Sequence, residues 1–114
     1  MRTIVLLDNV SAAGPATSES VNFEQRAEWM LQITSTGLDG TPRLIIEWSI
    51  DNTQVVWSPI ENVDVAGTYF FPIDDDEISI IDDRCMGKFY RVRLEANGNT
   101  TGTVKADLGY KTYP

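Results

Sequence analysis

From Leu44 to Asp51 the chain alternates side chains with a strict period of two. Leu44, Ile46, Trp48 and Ile50 fall on one side of an extended backbone, while Ile45, Glu47, Ser49 and Asp51 fall on the other. Such alternation in β-branched and aromatic residues is the pattern of a half-buried strand. Asp51-Asn52-Thr53-Gln54 supplies residues that tolerate tight-turn dihedrals, and Val55-Val56-Trp57 resumes extended structure until Pro59 interrupts it. The stretch is expected to form a hairpin whose inner face sets Trp48 at the centre of a core.

The same period recurs along the chain. Ile4 to Leu7 reads as a short first strand or arm, and Asn9 to Ser20, with Gly14-Pro15, reads as loop. Val21 and Phe23 open a further extended segment. Glu24 to Met30 could be argued as helix, but Trp29, Leu31 and Ile33 continue as an alternating stripe and favour strand. Tyr69-Phe70-Phe71-Pro72-Ile73 is apolar on both sides, which suits a strand that is fully buried or that meets a partner. Ile78 to Ile81 follows the acidic segment Asp74 to Glu77, and Asp82-Asp83-Arg84 reads as a second acidic turn. Tyr90, Val92 and Leu94 point inward with Arg91, Arg93 and Glu95 outward, and Asn97-Gly98-Asn99 reads as a hairpin turn. Val104, Ala106, Leu108 and Tyr110 form the last inward stripe. About eight short strands separated by turn signals about every 8–12 residues indicate an all-β, antiparallel β-sandwich or jelly roll.

A chain of 114 residues is one domain, able to bury roughly 65% of its unfolded surface. Cys85 is the only cysteine, so an internal disulfide is excluded, and we expect it to pack as a small residue at a loop edge. The opening segment has too short an apolar run for a secretion signal, and no stretch approaches a membrane span. With 17 acids against 9 bases the net charge is −8. That balance repels phosphates and anionic lipid, so neither nucleic acid nor membrane is an expected partner.

There is no histidine, which removes the usual imidazole-based nucleophilic schemes and metal ligands. The glycines are scattered through turns and none opens a phosphate-cradling loop before a helix. Asp74, Asp75, Asp76 and Glu77, joined by Asp82 or Asp83, could supply oxygen ligands to calcium. Consecutive acids on extended backbone point to opposite faces, however, and a solvated loop insulating a strand edge is the simpler reading. No catalytic, cofactor-binding or metal-ligating residue is expected, and no enzyme activity. Trp57, past the turn, either closes the end of the core or offers a stacking platform for sugar rings. Arg91 and Arg93 are expected to pair with acids of the neighbouring strand. Asn9-Val10-Ser11 and Asn99-Thr100-Thr101 match the glycosylation pattern, which is expected to be coincidental here.

Four stretches together carry a resemblance: Leu6-Leu7-Asp8-Asn9-Val10 with its Ser-Ala-Ala-Gly loop, Glu47 to Thr53 followed by Trp57, Phe89 to Leu94, and Asn97 to Val104. Their order and spacing resemble small virion proteins of tailed bacteriophages. The commoner turn of that type has glycine after Asp51, and Asn52 can adopt the same dihedrals. The resemblance implies a β-sandwich that decorates capsids or forms part of a tail, with no catalytic residues to carry over. It implies a capsid decoration or cement protein on the outer capsid surface, made in the host cytoplasm. Such a protein acts as a homo-oligomer and binds the major capsid protein or another virion protein. The parts expected to make contact are an N-terminal arm within residues 1–8 (Arg2, Ile4, Leu6), the two-sided strand (Tyr69, Phe71) and a C-terminal tail over 110–114 (Tyr110, Tyr113). Two alternatives stay open: a tail or fibre module binding carbohydrate through an exposed aromatic, and a calcium-dependent carbohydrate-binding domain.

Overall fold

The alternating stripes pair with one another as antiparallel ladders. The computed structural model describes residues 2–22, 26–49, 57–62, 65–75, 78–84 and 89–113. In chain order the strands are β1 (Arg2–Ser11), β2 (Ala16–Thr17), β3 (Val21–Asn22), β4 (Arg26–Thr36), β5 (Arg43–Ser49), β6 (Ser58–Pro59), β7 (Phe71–Pro72), β8 (Ile78–Arg84), β9 (Phe89–Glu95) and β10 (Thr103–Tyr113). Among the described residues there is no helix, and hence none long and apolar enough to cross a membrane.

One sheet has the order β1-β10-β4-β8. The other holds β9 and β5 at its centre, with β2 and β3 in succession along one edge and β6 and β7 along the other. Each split edge fills one strand position. Apart from those splits and the antiparallel neighbours β5 and β6, each strand is followed along the chain by one in the opposite sheet. This is the double Greek-key winding of a jelly roll. At the β2–β3 split, the Ser18 N–H donates to the Val92 carbonyl and the Ser18 Oγ accepts from the Val92 N–H, each at 2.9 Å. A side chain thus stands in for one rung while the register with β9 shifts by one residue.

The core lies between the sheets. Trp29, Leu31 and Ile33 of β4 and Val104, Ala106 and Leu108 of β10 face Leu44 and Ile46 of β5 and Tyr90, Val92 and Leu94 of β9, all buried. The Trp29 and Tyr90 rings meet across the layers at 5.7 Å. Each of these large apolar side chains contributes about 1.5–3 kcal/mol on burial.

Several expectations need correction. Of strand or arm, the first segment takes the strand alternative, since β1 pairs with β10 from Arg2 opposite Tyr110 to Ser11 opposite Thr103, and residues 110–113 belong to β10, paired with β4, rather than to a tail. The segment read as loop after Asn9 begins as strand and contains β2. Trp48 is only partly buried at the periphery of the core, and both faces of β5 are covered, so Ile45 and Glu47 are buried too. Pro59 lies within β6, opposite Glu47, because an edge strand needs no N–H on its outer side. Asp82-Asp83-Arg84 belongs to edge strand β8 rather than to a turn. Asn97-Gly98 does turn, with positive φ at both residues, but it joins β9 to β10 in the opposite sheet rather than closing a hairpin. The expected turn at Asp51 to Gln54, along with Ile50, Phe23, Asp76, Glu77 and Cys85, lies outside the described residues.

Candidate interaction surface

The crossing loops at one end of the sandwich are stitched together by side chains. Asn99, buried at 2% exposure, accepts from the Asp39 and Gly40 N–H groups at 3.0 and 2.9 Å through Oδ1. Its Nδ2 donates to the carbonyls of Ala12 and Thr101 at 3.0 and 2.7 Å. One amide therefore holds the β1–β2, β4–β5 and β9–β10 connections. A burial this deep also leaves no room for a glycan on Asn99. Gly102 permits the close approach: at φ +91° it lies where a Cβ would come within 2.5 Å of the Thr36 carbonyl. The acidic loop joins the same end. Asp75 Oδ1 accepts from the Leu38 N–H at 2.7 Å, and the Asp74 carbonyl accepts from the Ser35 hydroxyl at 2.6 Å. Among the described residues no group of acids and cysteines is placed to hold a metal ion.

Asp39 shows how this end responds to acid. Its carboxylate accepts from both the Thr100 hydroxyl and the Thr100 N–H, and these bonds hold its pKa below the ordinary value of 3.8. A depressed folded-state pKa gives stability that is present above the unfolded value and is lost as pH falls through the folded one. We expect the Asp39 carboxyl resonance to titrate below 3.8 in a pH series followed by NMR, and the Thr100 amide shift to follow it. A midpoint at or above that value would mean these bonds are absent in solution.

On the outer face of the β5–β9 sheet a charged layer stands where solvent was expected. Arg91 Nε donates to Glu47 Oε1 at 3.0 Å, directly across the ladder, and Arg93 Nε lies 3.5 Å from the same oxygen. The expected pairing of these arginines with the neighbouring strand is thus what the fold contains. Trp57 takes neither expected role, since its ring lies beneath the Arg91 guanidinium at 4.3 Å, outside the core cluster. Its Nε1 is buried with no acceptor among the described residues. That cover on the ring disfavours a sugar-stacking platform.

The two sheets part along the side bounded by β1 and β3. Here Ile4, Val5, Leu6 and Tyr110 line an open groove of about 450 Å³ with Glu19 to Asn22. Ile4, Leu6 and Tyr110 are half-buried, and Val5 is 49% exposed. Three residues expected at a contact, drawn from opposite ends of the chain, therefore meet in one place, and Arg2 follows on the same strand. Tyr69 and Phe71 lie elsewhere: Phe71 pairs with Leu44 at the far edge of the other sheet, and Tyr69 is 48% exposed. Tyr113 extends β10 opposite Arg26. Sequence reading missed Asn99 as a structural hub, because Ala12, Asp39 and Gly40, which it binds, lie far from it along the chain and no local pattern marks them. Glu47 was placed outward and its burial was not foreseen.

The four edges of the sandwich are not equivalent. β6 and β7 are two-residue strands that each contain a proline, β2 and β3 are split, and β8 ends in Asp82-Asp83-Arg84. Proline, interruption and charge are the usual protections of a sheet edge. Two edges present uncharged, proline-free runs: Ile78 to Ile81 of β8, and Thr3 to Leu7 of β1, which lies between Arg2 and Asp8 and is broken by register shifts between Val5 and Leu7 and between Leu7 and Val10. No protein-family model, curated protein or solved structure matches the chain.

Proposed function

We propose that this chain is a structural virion protein of the capsid-decoration type, working by surface contact and carrying no bond-making chemistry. The observation that supports the reading is the convergence of Ile4, Leu6 and Tyr110 in an open groove beside the edge strand β1. Half-buried apolar side chains beside the outer backbone of an edge strand form a surface that gains when a second chain covers it. The double Greek-key winding recurs in viral capsid and lectin domains, an analogy of architecture that raises this reading without assigning it. Net charge −8 favours a shell surface with basic patches as the complement.

In this role the protein bridges neighbouring major capsid subunits, so that opening the shell must first break the added interface. About 800 Å² per partner is an ordinary area for a stable contact, and repetition over a symmetric shell multiplies its effect. The test is electron microscopy of purified particles carrying labelled antibody against the chain. Label distributed over the shell is the expected result. Label confined to the tail would move the protein to the tail, and unlabelled particles would end the virion reading.

A further inference from the structure

We infer that Asn97 is a site of spontaneous modification, losing its side-chain amide by ring closure onto Gly98, while the hydrogen bonds of the same loop end keep the chain's other labile pair, Asp39-Gly40, from reacting. The inference concerns the covalent fate of the chain and is independent of the virion reading.

An asparagine or aspartate followed by glycine is the pair most open to succinimide formation, because glycine puts no side chain in the path of its own nitrogen. The chain has one Asn-Gly, at 97–98, and one Asp-Gly, at 39–40. The fold sets both in one cluster of connections. At Asn97 the Gly98 nitrogen bonds to Cγ as the Cγ–Nδ2 bond breaks. Ammonia leaves with the proton from the Gly98 nitrogen, and a cyclic imide remains. Water then adds to either imide carbonyl, which gives aspartate or isoaspartate.

The two pairs differ in what holds their reacting atoms. The Gly40 N–H donates to Asn99 Oδ1 at 2.9 Å, and the Asp39 carboxylate accepts from the Thr100 N–H and hydroxyl. The nucleophile is therefore engaged, and the carboxylate is held ionised, a form that resists attack by an amide nitrogen. Asn97 and Gly98 are exposed instead. The Gly98 N–H donates to no acceptor among the described residues, and the Asn97 amide is tied through Nδ2 to the Thr41 carbonyl at 3.0 Å.

The turn itself sets the pace. With φ of 48° and 85°, and the Ala96 carbonyl accepting from the Asn99 N–H at 2.9 Å, Asn97 and Gly98 form a type I′ turn. In that turn ψ of the first central residue is about +30°, which swings the Gly98 nitrogen away from the Asn97 Cβ. Ring closure needs the nitrogen on the Cβ side, so Asn97 reacts only from the open fraction of the turn. The product then disturbs the site that made it. Aspartate at position 97 sets an acceptor against the Thr41 carbonyl. Isoaspartate lengthens the main chain two residues before Asn99, which breaks the Ala96–Asn99 closure and displaces the amide that holds Asp39, Gly40 and Ala12.

The experiment is timed storage of the full chain in mildly alkaline buffer, folded and in urea, with peptide mass spectrometry to locate each aspartate and isoaspartate. Both products are expected at Asn97 in each sample, at least about tenfold more slowly in the folded one, where the turn is mostly closed. Isoaspartate at Asp39 is expected only in urea. The aged folded fraction, separated by its added negative charge, is expected to melt below the parent. A folded chain in which Asn97 stays intact, or in which another asparagine loses its amide first, overturns the assignment. Equal rates in the two samples remove the turn's control, and isoaspartate at Asp39 of the folded chain removes the protection by Asn99 and Thr100. An aged fraction that melts with the parent shows that the change at Asn97 does not reach Asn99.

Discussion

Asn99→Ala is expected to lower the free energy of unfolding by about 4 kcal/mol, read as a shift in the urea midpoint with little change in slope. The side chain makes two accepted and two donated hydrogen bonds, to Asp39, Gly40, Ala12 and Thr101. Each backbone group left unpaired in a buried place costs about 1–3 kcal/mol. The full sum does not apply, because Asp39 and Gly40 are exposed and water can reach part of the vacated space. What makes the site costly is that its partners come from three separate connections, so no single loop can shift to restore the bonds. Asn99→Asp separates the two halves of the amide. It keeps an acceptor for the two N–H groups but turns a second oxygen towards the carbonyls of Ala12 and Thr101. The buried carboxyl then has a raised pKa, so its stability is fully present at low pH and is lost as pH rises through that value. This slope opposes the one set by Asp39. If Asn99→Ala melts within a degree or two of the parent, the loops are held by something other than this amide.

The fold was legible because its evidence is local. Trp29-Leu31-Ile33, Tyr90-Val92-Leu94 and Val104-Ala106-Leu108 carry a period-two stripe, and each stripe is buried in the core. Even the opposition of Glu47 to Arg91 and Arg93 could be anticipated from outward charges on neighbouring strands. What misled the reading was non-local. Whether Asn97-Gly98 closes a hairpin or throws the chain to the other sheet depends on which strands the flanking stripes pair with, β5 for β9 and β4 for β10, not on the turn residues. The two-sided burial of β5 arises because Trp57 and Phe70 fold back over its outer face, where Phe70 takes the Arg43 guanidinium at 4.2 Å. No window of sequence around Ile45 contains that information. The candidate surface was half legible. Ile4, Leu6 and Tyr110 stand out as apolar residues near the ends of the chain, but only the β1–β10 ladder makes them neighbours.

Glu47→Ala is expected to cost about 3 kcal/mol, close to what removing one member of a buried ion pair costs elsewhere. Glu47 is 7% exposed, and its carboxylate accepts from Arg91 at 3.0 Å. The loss falls mainly on Arg91, whose guanidinium lies against the Trp57 ring and whose one acceptor among the described residues is Glu47. Arg93 is better placed, since it also donates to Glu95 at 2.6 Å from a more exposed position. The discriminating variant is Glu47→Met combined with Arg91→Met, which removes both charges and keeps apolar volume over β5 and β9. If desolvation of an unpaired charge is the cause, the double variant recovers most of the stability lost by Glu47→Met alone in urea denaturation. Equal losses in the two would show that packing of the glutamate stem, not charge, carries the effect. The pair has a second consequence for how β5 and β9 align. Glu47 and Arg91 stand directly opposite, and a one-residue slip would carry the carboxylate to the core face and leave both arginines without it. The core face of β5 carries Leu44, Ile46 and Trp48, whereas a slipped strand would set Arg43, Glu47 and Ser49 there, so burial already selects the observed register and the ion pair adds to that choice. The Met–Met variant should therefore keep one β5–β9 pairing, seen as a single set of amide resonances for residues 43–49 and 89–95.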